Sequence, residues 1–199
     1  MTNHYYSNKP TVQSNRKKWE YKLKGKTYTF QSDNGVFSKN EIDFGSRLLI
    51  ETFEIPEVEG DILDVGCGYG PIGLTIADNF KRHVDMIDIN ERAVELAMDN
   101  AKLNKIENVN IFQSDLLDKV DKNKKYCAIV TNPPIRAGKD VVFQIFEASY
   151  NQLKTSGELW IVIQKKQGAP SAINKLEELF TSVETVEKKK GYFIIKSIK

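Results

Sequence analysis

Ile62-Leu63-Asp64-Val65-Gly66-Cys67-Gly68-Tyr69-Gly70-Pro71-Ile72-Gly73 decides the fold. An apolar run ends in a glycine-dense turn, and Pro71 stands where a first helical residue would, since its missing N–H costs nothing there. Leu74, Ile76, Ala77 and Phe80 continue an apolar face. The spacing predicts a strand over 61–66 and a helix over 71–80. A tight turn accounts for one or two glycines, not for four within eight positions. Glycines at this density let a ligand come close to the backbone. The helix N-terminus that follows offers free N–H groups and the positive end of a dipole, suited to an anionic group.

Working outward, the same alternation repeats. Strands are expected over 83–88, 108–113, 126–131 and 157–164, with helices over 91–103, 139–152 and 170–180. Strands alternating with helices predict an α/β, Rossmann-like, doubly wound sheet. Two further runs, 183–187 and 192–196, are joined by Lys190-Gly191 and read as a terminal antiparallel pair. Before Gly35, Trp19, Tyr21 and Leu23 alternate, Lys24-Gly25-Lys26 turns, and Tyr28 and Phe30 alternate again, which predicts a β-hairpin with one apolar face. The expected organisation is an N-terminal hairpin extension, 1–34, and a main domain, 35–199, with seven strands in its sheet. The hairpin is expected to pack on that domain, with a partial hand in substrate binding.

The chain has 199 residues, 40% of them apolar, and a net charge of +2. That suffices for one core and gives no strong global field. No apolar run reaches membrane-spanning length, and the polar start Met1-Thr2-Asn3-His4 lacks an apolar signal core, so a cytoplasmic protein without membrane contact is expected. Cys67 and Cys127 read as small buried hydrophobes, and His4 and His83 as surface or structural residues. With only these four, no metal site is expected. The basic runs at 16–18, 122–125 and 188–190 read as solvated faces. Lys165-Lys166, at the end of a strand, is a candidate for nucleic-acid phosphate.

Gly68-Tyr69-Gly70-Pro71-Ile72-Gly73 matches the dinucleotide pattern G-x-G-x-x-G. Asp64 argues against that ligand, because a carboxylate just before the turn repels a pyrophosphate and attracts an ammonium. Asp88 ends the next strand, where an acid can accept from both hydroxyls of a ribose. Asp115 follows a third strand and can either accept from an adenine amino group or cap a helix. Asn132-Pro133-Pro134 ends the strand over 126–131, since neither proline can donate to a ladder. Asn132 thereby stands at a strand tip with an amide oxygen and the next carbonyl presented rigidly, an arrangement that grips an NH2 group.

Asp64 to Gly68, Asp88, Asp115 and Asn132-Pro133-Pro134 resemble the motifs of class I S-adenosylmethionine-dependent methyltransferases. The segments 35–38 and 43–49, Asn132 to Lys139, and 160–162 resemble the small methyltransferase family, typified by the 16S ribosomal RNA guanine-N2 methyltransferase C enzymes. The resemblance implies S-adenosylmethionine held by Asp64, Gly66, Cys67, Gly68, Asp88, Ile89, Ser114, Asp115 and Asn132. It implies catalysis at Asn132, Pro133, Pro134 and Ile135, with the base or phosphate met by Phe37, Arg136, Lys139, Lys165 and Lys166. Ribosomal RNA or the small-subunit particle is the implied partner. One departure stands out: relatives carry an aromatic after the two prolines, where this chain has Ile135, so a stacking ring must come from elsewhere, with Phe37 as candidate. Alternatives are methylation of a protein glutamine amide, an NAD-dependent oxidoreductase that Asp64 disfavours, and a silent RNA-binding module.

Overall fold

A computed structural model describes residues 12–38 and 41–199; the reading of His4 lies outside these. The chain forms β1 (Lys17–Leu23), β2 (Lys26–Ser32), α1 (Phe44–Thr52), β3 (Ile62–Val65), α2 (Pro71–Phe80), β4 (Val84–Asp88), α3 (Glu91–Leu103), β5 (Val109–Gln113) and β6 (Tyr126–Thr131). It continues through α4 (Lys139–Gln152), β7 (Leu153–Gln164), α5 (Ala169–Leu179), β8 (Ser182–Lys189) and β9 (Tyr192–Ile198). Seven strands form one sheet in the order β5-β4-β3-β6-β7-β9-β8. Neighbours from β5 to β7 are parallel, and β9 runs antiparallel to both β7 and β8. The expected α/β sheet with a terminal antiparallel pair is what the chain builds.

The sheet is buried on both faces, so its central strands are continuous apolar runs. Ile62, Met86, Ala128, Val130, Trp160 and Val162 face one core, shared with α1, α2, α3 and the hairpin. Leu63, Val65, Ile87, Ile129, Leu159 and Ile161 face the other, shared with α4 and α5. Period-two alternation within each strand supplies both cores.

Three features differ from the sequence expectation. Helix α1 was not foreseen. Asp43 caps it, its Oδ1 accepting from the N–H groups of Gly45 and Ser46, while Leu48, Leu49 and Ile50 are buried. Nine residues give too few turns for a helical period to stand out. Strand β7 begins at Leu153 rather than 157, because Tyr126 pairs with Leu153 ahead of the register shift in β6–β7. A one-turn 3-10 helix follows each of β6 and β7, at Ile135–Ala137 and Lys165–Gln167.

The hairpin is part of the core. Lys24 and Gly25 both have positive φ (44° and 81°), the two-residue turn that matches strand twist. Its rings meet Tyr69: Trp19 and Phe30 lie 6.1 and 6.0 Å from it, centroid to centroid. The outer edge of β2 is satisfied by side chains of α3 and of its C-terminal cap, Asn104. Asn100 exchanges two hydrogen bonds with the backbone of Gln31 (2.6 and 2.9 Å), and Asn104 does the same with Thr29 (2.9 and 2.7 Å). One helical turn advances about as far as two strand residues, so two asparagines four apart mimic a neighbouring strand.

Candidate active site

The strand order reverses between β3 and β6, the switch point at which open sheets bind ligands. Thr131 Oγ1 donates to the Val65 carbonyl at 2.8 Å and stitches the two strand ends together. Above them opens a cavity of about 460 Å³, formed by the β3–α2 turn, the ends of β4 and β5, the Asn132–Ala137 segment, residues 36–38 and the start of α1. No residue of β1 or β2 lines it. Among the described residues its charged wall members are Asp43, Asp88, Asp115 and Arg136. Three acids against one cation favour a cationic ligand.

Most of the residues expected from the sequence meet at this cavity: Phe37, Gly66, Cys67, Gly68, Asp88, Ile89, Ser114, Asp115, Asn132, Pro133, Pro134, Ile135 and Arg136 all line it. Gly66 and Gly68 have φ of 75° and 58°, and a Cβ at either would meet nothing within 4 Å. Glycine is needed there for the backbone conformation, and the space beside it is open to a ligand. Asp88 accepts from the N–H groups of Gly68 and Asn90, each at 2.8 Å. Burial nonetheless pushes its carboxyl up to about 6. Ser114 is pinned to β4 through its N–H to the Asp88 carbonyl, 3.0 Å. Leu116, beside Asp115 on the wall, takes a left-handed backbone with φ 46°, a strained state for a branched side chain.

The other expected residues lie elsewhere. Asp64 is fully buried beneath the turn. Its Oδ2 accepts from the Gly73 N–H at 2.8 Å, and its Oδ1 has no partner among the described residues. Burial pushes it up to about 7, with repulsion from Asp88 adding to the rise. Of the N–H groups at the start of α2, that of Gly73 is thus already served by a carboxylate from below. Gly73 makes this possible, since a Cβ would come within 2.8 Å of both Asp64 Oδ2 and the Met86 sulfur. A carboxylate beneath the turn opposes a pyrophosphate there, which argues against the dinucleotide reading of the glycine pattern. Lys139 lies outside the cavity with its Nζ 5.0 Å over the Phe143 ring. Lys165 and Lys166 are exposed at the rim. The Lys165 N–H donates to the Gly191 carbonyl at 2.8 Å, which joins this turn to the β8–β9 link.

Among the wall residues that the sequence reading did not assign to the site, three bear on its chemistry. Tyr192 comes from the last strand; its ring lies 5.4 Å from Phe44, and a Cβ on Gly45 would touch it at 2.9 Å. Asp43 and Ser46 come from the unforeseen helix. Asn132 Nδ2 donates to Ser46 Oγ at 3.0 Å and faces both Asp43 carboxylate oxygens at 3.4 Å. The Pro133 carbonyl accepts from the Ile135 N–H at 2.9 Å and keeps a second lone pair. Two acceptors, the amide oxygen of Asn132 and the carbonyl of Pro133, therefore sit at the tip of β6, and the Asp88 carboxyl sits at the tip of β4.

Residues 27–196 match the family described as the methyltransferase small domain. The chain belongs to this family. S-adenosylmethionine is the methyl donor of these enzymes, and the acidic wall with its open glycine turn fits a ligand that carries an ammonium and a sulfonium. Uncharacterized protein YbxB of Bacillus subtilis is 66% identical over 200 residues, covering all of both chains. Ribosomal RNA small subunit methyltransferase C of Aliivibrio fischeri is 35% identical over 170 residues, covering 81% of this chain and 49% of its own. The fold is similar to that of the T. thermophilus 16S rRNA N2 methyltransferase (RsmC), solved in complex with AdoMet and guanosine. The TM-score is 0.84 at 25% identity, over 96% of this chain and 52% of that one. The chain spans about half the length of the methyltransferase C relatives it matches.

Proposed function

We propose that this methyltransferase acts on an exocyclic amino group of RNA, and specifically on guanine N2 of 16S ribosomal RNA. On this reading it works in the cytoplasm, on ribosomal RNA or on the small-subunit particle. The observation that carries the reading is the pair of acceptors at Asn132 and Pro133, beside a wall of acids. S-adenosylmethionine supplies an electrophilic methyl carbon on a good leaving group, so the protein's task is chiefly positioning. An exocyclic amine is a poor nucleophile while its lone pair is delocalised into the ring. Asn132 Oδ1 and the Pro133 carbonyl each accept one of its N–H groups, which turns the lone pair toward the methyl and stabilises the positive charge that develops on nitrogen. The nitrogen–carbon bond forms as the carbon–sulfur bond breaks, its electron pair staying on sulfur. The surplus proton leaves to water once nitrogen is positive, so no ionisable base is needed before transfer.

The methyltransferase C names and the guanosine complex of the solved relative support the substrate class. The missing aromatic at Ile135 is answered by two rings on the cavity wall, Phe37 and Tyr192, either of which can cover the face of a base that has left its stack. Lys165, Lys166 and Arg136 stand outside or on the mouth, where a phosphate backbone would pass. The test is incubation with methyl-labelled S-adenosylmethionine and separate pools of ribosomal RNA, small subunits, DNA and protein, followed by mapping of the labelled residue. Label confined to protein, or on a carbon or oxygen of RNA, would refute it.

A further inference from the structure

Asn132 lines the cavity with a side chain whose two ends are chemically opposite. Its use as an acceptor requires that Oδ1, not Nδ2, face the substrate. Nothing in the strand that carries it decides this: with the amide rotated by half a turn, the side chain occupies the same space. The decision comes from α1. Asp43 offers only acceptors, so an amide oxygen turned toward it would be repelled, while the NH2 is attracted. Ser46 Oγ accepts from the same NH2 at 3.0 Å, and Ser46 is itself buried at 4% exposure. Oδ1 takes no hydrogen bond from any described residue.

We infer that Asp43 and Ser46 are positioning residues that lock the Asn132 amide with its oxygen toward the acceptor amine. The α1 N-terminus thereby serves as the rotational stop of the reaction centre. The inference rests on the amine reading above. A carboxylate behind the NH2 also polarises the amide and makes Oδ1 the stronger acceptor. Asp43 carries a second duty, since the same Oδ1 that faces Asn132 caps α1. The two duties separate by mutation. Ser46→Ala removes the 3.0 Å bond and leaves the cap in place. Asp43→Asn keeps a cap of equal quality, because Asn and Asp serve equally there, but sets an NH2 against an NH2.

The test uses the whole chain with wild type, Ser46→Ala, Ser46→Thr and Asp43→Asn. The first measurement needs no turnover: hydrogen exchange of the Asn132 side-chain NH2 by 15N NMR, which should be faster in Ser46→Ala and Asp43→Asn than in wild type. Equal exchange rates in all four overturn the lock. The second is methyl transfer to whichever acceptor the wild type uses. The kcat should fall about tenfold in Ser46→Ala, the effect of one hydrogen bond. Melting temperature and adenosylhomocysteine affinity should hold, and Ser46→Thr should recover rate by restoring the hydroxyl. An unchanged kcat, or a rate loss matched by an equal loss of cofactor affinity, overturns it. If the wild type methylates carbon or oxygen instead, the amine reading fails, while the exchange experiment still decides the lock.

Discussion

Replacing Asp64 by Asn isolates what the buried carboxyl does. In the native chain Asp64 is fully buried, accepts one hydrogen bond from Gly73, and leaves Oδ1 without a partner among the described residues. Its carboxyl is raised to about 7 from an ordinary 3.8, chiefly by burial. A raised carboxyl binds its proton more tightly in the folded state. Its contribution to stability is therefore complete below the ordinary value and is lost as pH rises through 7. Between pH 5 and 8 that loss is about 3 kcal/mol, at about 1.4 kcal/mol for each pH unit over which only the folded chain holds the proton. Asp64→Asn has no charge to bury. Its oxygen can still accept from Gly73, and its NH2 takes the place of Oδ1 at a cost of about 1–3 kcal/mol that does not depend on pH. The variant should be the less stable protein at pH 5 and should gain about 3 kcal/mol on wild type by pH 8. Urea unfolding of both proteins across that range measures the gap, of which the repulsion between Asp64 and Asp88 is a part. Parallel stability curves would show that Asp64 is ionised at little cost in the fold, and would refute the reasoning. The same variant should bind adenosylhomocysteine more weakly at pH 8, where the negative charge favours the ammonium.

Four further outcomes follow from the site. Asn132→Ala should keep cofactor affinity and melting temperature and lose about 10²–10³ in single-turnover rate, the scale of one preorganised dipole; full activity would remove Asn132 from the chemistry. Asn132→Asp should also be nearly inactive, because its carboxylate faces Asp43, whereas the double change Asn132→Asp with Asp43→Asn should restore rate by swapping donor and acceptor. Asp88→Ala should weaken adenosylhomocysteine binding by about 1–3 kcal/mol, read by calorimetry, since it leaves ligand hydroxyls unpaired. If Lys165 and Lys166 meet phosphate, changing both to Ala should flatten the salt dependence of RNA binding by about one logarithmic unit per lost contact, and an unchanged slope would leave them as a solvated edge.

Much of this protein is decided locally. Pro71 opens α2 and Asn90 caps α3 with its side chain on the N–H groups of Arg92 and Ala93, so both helices begin where neighbouring residues say they must. Pro133 and Pro134 end β6 because neither can donate to a ladder. The alternating strands and helices then leave few topologies, and the glycine turn, Asp88 and Asn132 fall at strand ends, which the switch point gathers into one cavity. These signals are backbone signals, carried by residues a few positions apart. What the chain order could not decide are pairings between distant side chains. Asp64 turns beneath the helix rather than into the cavity because Gly73 leaves room for it against Met86. Tyr192 reaches the wall only because β9 inserts beside β7. The orientation of the Asn132 amide depends on Ser46, 86 positions away, and Asp43, 89 positions away. A hydrogen bond has direction at its two atoms and none along the sequence, so which partner meets which end of an amide is settled by the packed fold.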